Sequence, residues 1–231
     1  MAQLKPSQES TPEDEAGARY IAQAKERIRT GLSKEANARM GIPERYTGKK
    51  LSELHRHSAE VDRARRLISE NESVTLSGPT GVGKTHLGLG LLCEFMAQDF
   101  DGILVKDRFF DRTPRCPFFI SAIDLLLEFK HSFNERSSEL EVLVRYRDKP
   151  LLMLDDLGAE AVTDYTRATL YALLDHRYKR RLPTIVTSNL DLAGISERID
   201  DRIASRLNEM GEVIQLQGHD WRTGTPAQQE W

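Results

Sequence analysis

The chain has 231 residues, with 33 basic and 36 acidic side chains and a net charge of −3. That near-balance argues against a protein that coats nucleic acid over its whole surface, while leaving room for a local basic groove. Mean hydropathy is −0.51, and no run approaches the roughly 20 apolar residues that a spanning helix needs.

The N-terminus, MAQLKPSQESTPEDEAG, has no apolar stretch of the kind a secretory signal carries, and its polar composition predicts disorder to about Gly17. Tyr20, Ile21, Ala24, Ile28 and Leu32 then recur at helical spacing, predicting a helix that ends near Met40, before Gly41 and Pro43. A second amphipathic segment runs from Leu51 to Glu70, with Leu51, Leu54, Val61, Ala64 and Ile68 on one face. From Ser73 short apolar runs alternate with helical patterns. Strands are expected at 74–76, 118–120, 151–154, 184–187 and 213–216. Helices are expected at 84–96, 125–133, 165–180 and 195–207. This alternation predicts an α/β fold with a parallel sheet sandwiched by helices. Gln98 to Cys116 is a long polar connection, well beyond the usual four to six residues. Cys93 and Cys116 form no CxxC pair and are expected to be free thiols in a reducing cytoplasm.

Gly78-Pro79-Thr80-Gly81-Val82-Gly83-Lys84-Thr85 fits G-x-x-x-x-G-K-[ST] at every fixed position. It follows an expected strand and opens an expected helix, the context in which that pattern holds phosphates. Glycines let backbone N–H groups turn inward, and the helix N-terminus adds partial positive charge. Lys84 is expected to reach the β/γ-phosphates and Thr85 to ligate Mg²⁺, with His86 next in the helix counted among the nucleotide-binding residues. Four apolar residues then lead into Asp155-Asp156 at a strand's C-terminal end, where ligands of open α/β sheets bind. Asp155 is the expected Mg²⁺ ligand and Asp156 the expected general base. The strand ending Thr187-Ser188-Asn189 offers an amide to orient the lytic water. Arg202 and Arg206, four apart on one helix face, are candidates for an arginine finger supplied by a neighbouring subunit.

In this order and spacing, "GIPERYTGKKLSEL", "SGPTGVGKTHLG", "LLMLDDLGAE", "LLDHRYKRRLPTIVTSNL", "RIASRL" and "GHDWR" resemble the AAA+ ATPases. More narrowly, they resemble the replicative helicase loaders of the DnaC/DnaI type, over about Gly41 to Arg222. The resemblance implies an AAA+ P-loop NTPase domain at 46–231, a helical partner-docking arm within 1–45, and ATP and Mg²⁺ as cofactors. It implies ATP hydrolysis in the cytoplasm by a ring or spiral homo-oligomer that loads a replicative DNA helicase hexamer onto single-stranded DNA. It makes Asn189 the first sensor, Arg206 (with Arg202 second) the finger, and Arg222 a neighbour of the nucleotide. It also makes Lys130, His131, Arg136, Arg145 and Arg147 candidates by position to face the DNA, with a solvated helix face as the alternative. The short arm departs from the larger N-terminal domains of such loaders, and the sequence after Leu216 predicts a reduced or absent helical lid. An IstB-type transposition helper, binding duplex DNA and a transposase, shares the same core and is the nearest alternative. A monomeric P-loop kinase is the reading from a different class, but no arginine-rich acceptor lid stands out.

Overall fold

The computed structural model describes residues 12–48, 51–98, 116–132, 138–218 and 220. The expectations for the 98–116 connection, Arg136, Arg222 and a lid after Leu216 fall largely or wholly outside those residues.

Among the described residues, five strands form one parallel sheet: β1 (Ser73–Ser77), β2 (Phe118–Ser121), β3 (Leu152–Leu157), β4 (Thr184–Ser188) and β5 (Gly211–Gln215), in the spatial order β2-β3-β4-β1-β5. Nine α-helices surround it among the described residues: α1 (Pro12–Arg29), α2 (Lys34–Arg39), α3 (Ser58–Ser69), α4 (Lys84–Gln98), α5 (Ala122–Ser132), α6 (Glu139–Arg147), α7 (Asp164–Arg180), α8 (Leu192–Arg198) and α9 (Asp201–Met210). The strands read as apolar runs because helices cover both faces. Val74, Met153, Ile185 and Ile214 pack with helices α1 to α4, whereas Leu152, Leu154 and Val186 pack with α5 to α9. The spatial order places β1 inside the sheet, between β4 and β5, and α4 crosses toward β4 and β3, so the β1–α4 turn opens at the C-terminal edges of β3 and β4.

The expected helix from Tyr20 to Met40 is two helices. α1 starts at Pro12, inside the segment expected to be disordered, and the chain breaks at Gly31 (φ 65°). Ser33 restarts it as an N-cap, its hydroxyl accepting from the Ala36 N–H. Ile28, Ala36, Met40 and Ile42 belong to the same apolar cluster as α4. Met40 also accepts the Phe119 N–H at 2.7 Å, so the end of the arm covers the β2 edge of the sheet. The expected helix 51–70 is helical only from Ser58. Residues 51–57 instead make two short 3₁₀ turns. The expected helix 195–207 is also two, separated at Ile199–Asp200, where the Asp200 carboxylate caps α9 by accepting the Arg202 N–H.

Candidate nucleotide site

β1 ends at Ser77, and the chain turns through Gly78–Gly83 into α4. Gly78, Gly81 and Gly83 have φ of 140°, 84° and 104°, values that strain any side chain. Space is as restrictive as conformation. A Cβ on Gly78 would strike the Leu216 carbonyl, and one on Gly81 would strike the Asp220 carboxylate. The segment after β5 is held there because the Leu216 N–H donates to Ser77 O at 2.8 Å.

Lys84 is buried, 7% exposed. Its ammonium donates to Gly78 O at 2.6 Å, Pro79 O at 2.8 Å and Asn189 Oδ1 at 2.8 Å. The phosphate-loop lysine and the residue just past β4 are thus joined across 105 positions of sequence. The neighbouring Thr85 hydroxyl donates to Asp155 Oδ1 at 2.9 Å, and Thr187 donates to the same oxygen at 2.7 Å. Burial pushes the Asp155 carboxyl up from its ordinary range. The two hydroxyls and Lys84 oppose that, while Asp156 adds to it.

Asp156 departs from plain strand geometry. Its φ is 59°, and the β3–β4 register shifts between Leu154 and Leu157. Side chains of adjacent strand residues point to opposite faces. The left-handed residue breaks that alternation, and its N–H is held by the Thr187 hydroxyl at 2.8 Å. Thr187 therefore orders both acidic residues, which its place in an apolar-looking strand did not announce.

His86 faces the first 3₁₀ turn, with Nε2 3.6 Å from Glu53 Oε2. Arg202 lies on α9 with its guanidinium on the Asp200 carboxylate at 2.9 and 3.0 Å and over the Tyr171 ring. Arg206 bonds Asp175 at 3.1 Å and Glu209 at 3.2 Å, and covers the Tyr178 ring at 4.5 Å. Within one chain these two arginines are engaged with α7, α9 and the cap of α9, not with the phosphate loop. Of the candidate DNA contacts, Arg145 pairs with Glu128 and Arg147 with Asp148.

Sequence reasoning also passed over Glu160. It is 6% exposed, accepts the Gly158 N–H at 2.9 Å, and burial raises its carboxyl. The run of two Asp and a Glu within six residues was the available signal.

The donors fit a nucleoside triphosphate with Mg²⁺. A small hard cation takes one or two protein oxygens and completes its shell with phosphate and water, and Thr85 Oγ1 and Asp155 Oδ1 already sit 2.9 Å apart. A lysine head on two loop carbonyls and a side-chain amide marks where anionic oxygens enter.

A family model described as IstB-like ATP binding protein matches residues 49–228, well over half of the chain. The chain belongs to this IstB-like ATP-binding family. An ATP-binding protein of insertion sequence IS232 from Bacillus thuringiensis subsp. berliner is 28% identical over 162 residues, covering 68% of this chain and 58% of that protein. The replicative helicase loader DnaI of Bacillus subtilis is 27% identical over 137 residues, covering 59% of this chain and 39% of the loader. The chain thus spans about half the length of these relatives. Among solved structures, the DnaC helicase loader superposes with a TM-score of 0.58 at 24% identity, covering 76% of this chain and 100% of that one. The fold is therefore the α/β sheet of the AAA+ ATPases, and the family binds ATP. Both helicase loaders and insertion-sequence ATP-binding proteins stand among its relatives.

Proposed function

We propose that this protein is an ATPase that loads a replicative DNA helicase hexamer onto single-stranded DNA, working in the cytoplasm as an ATP-assembled homo-oligomer. The observation that carries the ATPase half is the convergence of Lys84 on Asn189 and of Thr85 on Asp155. Lys84 and the N–H groups of Gly78–Thr85 hold the phosphates. Thr85 and Asp155 would hold Mg²⁺, which would supply positive charge against the phosphate oxygens. Asp156 accepts the proton of the attacking water, and Asn189, released by Lys84 when phosphate arrives, orients that water. Arg206, or less directly Arg202, stabilises the transferring phosphoryl group from the next subunit. The loader half is supported by the likeness to DnaI. The relative from insertion sequence IS232 favours a second reading, a transposition helper that binds duplex DNA and a transposase.

Fluorescence anisotropy with single-stranded and duplex oligonucleotides separates them, titrated with ATP, ADP or no nucleotide at fixed salt. ATP-dependent binding to single strands, absent in Lys84→Ala, supports the loader and calls for capture of a cognate helicase hexamer. ATP-dependent preference for duplex favours the transposition helper. Binding to neither oligonucleotide, or binding that does not depend on nucleotide, would sink both.

A further inference from the structure

We infer that His57 is a positioning residue of the phosphate loop, holding the Val82–Gly83 peptide so that the Gly83 N–H faces the phosphates. His57 stands just before α3, 25 residues upstream of Val82, and is only 4% exposed. Its Nε2 lies 3.1 Å from the Val82 carbonyl oxygen. A carbonyl only accepts, so Nε2 carries the proton.

In a trans peptide the C=O and the following N–H point to opposite sides. A phosphate loop needs its N–H groups on the concave side, which sends the carbonyl between them to the back. There the Val82 oxygen enters a buried region, since Val82 itself is 0% exposed. A buried carbonyl without a donor is costly, and the cheapest repair is to rotate the peptide, taking the Gly83 N–H with it. His57 removes that incentive. Gly83, with φ 104°, is the hinge at which such a rotation would occur.

The rest of the 51–57 segment braces the same wall. The Leu54 Cδ2 lies 3.0 Å from where a Gly83 Cβ would stand, and the Leu51 side chain fills the space a Cβ on Gly90 would take. His57 is tied to this brace through its own N–H, which donates to Leu54 O at 2.9 Å. The histidine thus sits on a rigid support rather than on a loose loop.

The inference rests on the P-loop reading, so the experiment separates the two. ATP, ADP and AMP affinities are measured for wild type, Lys84→Ala, His57→Phe and His57→Gln, with thermal unfolding recorded for each. His57→Phe is expected to weaken ATP and ADP about tenfold, the equivalent of one unsatisfied buried carbonyl. AMP, which lacks the β- and γ-phosphates, is expected to be weakened much less, and His57→Gln, which still donates, to recover most of the loss. A folded Phe variant that binds ATP like wild type, or that weakens all three nucleotides equally, overturns the inference. Lys84→Ala binding ATP like wild type overturns the P-loop reading instead. If His57→Phe does not fold, ¹⁵N spectra of the wild-type imidazole decide. A protonated Nε2 is expected, and an Nδ1–H tautomer overturns the inference.

Discussion

At the scale of single residues, the site is built against its own stability. Asp155 is buried, and desolvation raises its carboxyl. A carboxylate whose folded pKa lies above its unfolded value holds its proton more tightly when folded. Stability therefore falls as pH rises from the unfolded value through the folded one, and at neutral pH the ionised group opposes folding. Asp155→Asn keeps an Oδ1 that accepts from Thr85 and Thr187 while removing the charge. We expect its Tm to rise by about 2–4 °C at neutral pH, corresponding to roughly 1 kcal/mol. The gain should shrink as pH falls toward the carboxylate range, and Mg²⁺-dependent turnover should be lost. A fall in Tm at neutral pH would show that the charge is well compensated. Asp220 presents the opposite situation, a carboxylate lying against Gly81 in the phosphate loop. Triphosphate and carboxylate repel, so Asp220→Asn is expected to tighten ATP binding about three- to tenfold, more at low salt than at high. Weaker binding in that variant would instead assign Asp220 a hydrogen bond to the nucleotide. The sequence disclosed the glycines, Lys84, Thr85 and the acidic pair because their spacing is fixed by local geometry. It concealed His57, Thr187 and Asp220, whose roles depend on contacts across 25, 32 and 139 positions.

At the scale of elements, four of the five strands were legible to within two residues, because a strand buried on both faces is an apolar run bounded by polar residues, while the end of β3 runs three residues past the expected 154, through the acidic pair to Leu157. The helices were less so. The breaks at Gly31 and at Ile199–Asp200 interrupt apolar periodicity only briefly, and a capping Ser or Asp competes with that periodicity over a few residues. α7 shows what periodicity alone omits. Arg177, on its inner side, is 0% exposed, and its guanidinium donates to the carbonyls of Arg147, Lys149 and Pro183 and to Thr184 Oγ1. These acceptors lie in the chain entering β3 and β4, so one side chain fixes where both strands begin. Arg177→Met would leave those carbonyls buried without a donor. We expect a loss of roughly 3 kcal/mol or more in urea unfolding, far above a surface Arg→Met change. A loss under about 1 kcal/mol, as for an exposed arginine, would mean that water replaces the guanidinium at no cost.

At the scale of the whole molecule, one chain holds Lys84, Thr85, Asp155 and Asn189 together but turns Arg202 and Arg206 elsewhere. Arg206 is gripped by Asp175 and Glu209, and Asp175 is also paired with Lys179 at a shared carboxylate. If Arg206 completes the site of a neighbouring subunit, each active centre is composite, and hydrolysis per chain must rise with concentration as subunits assemble. Two inactive variants then test the arrangement. Lys84→Ala retains its arginines but lacks a phosphate site, and Arg206→Ala retains the phosphate site but lacks its finger. Each alone should hydrolyse ATP at a background rate, since an arginine finger contributes up to about 10³-fold or more. Mixed in equal amounts, some interfaces pair an intact phosphate site with an intact arginine, and turnover should recover to a sizeable fraction of wild type. Recovery requires only that the two residues act across an interface, so it is independent of whether helicase or transposase is the final partner. A mixture no more active than its parts, under conditions where the wild type is concentration-dependent, would place the missing cation within the chain. Arg206 would then be a structural residue that locks α9 to α7.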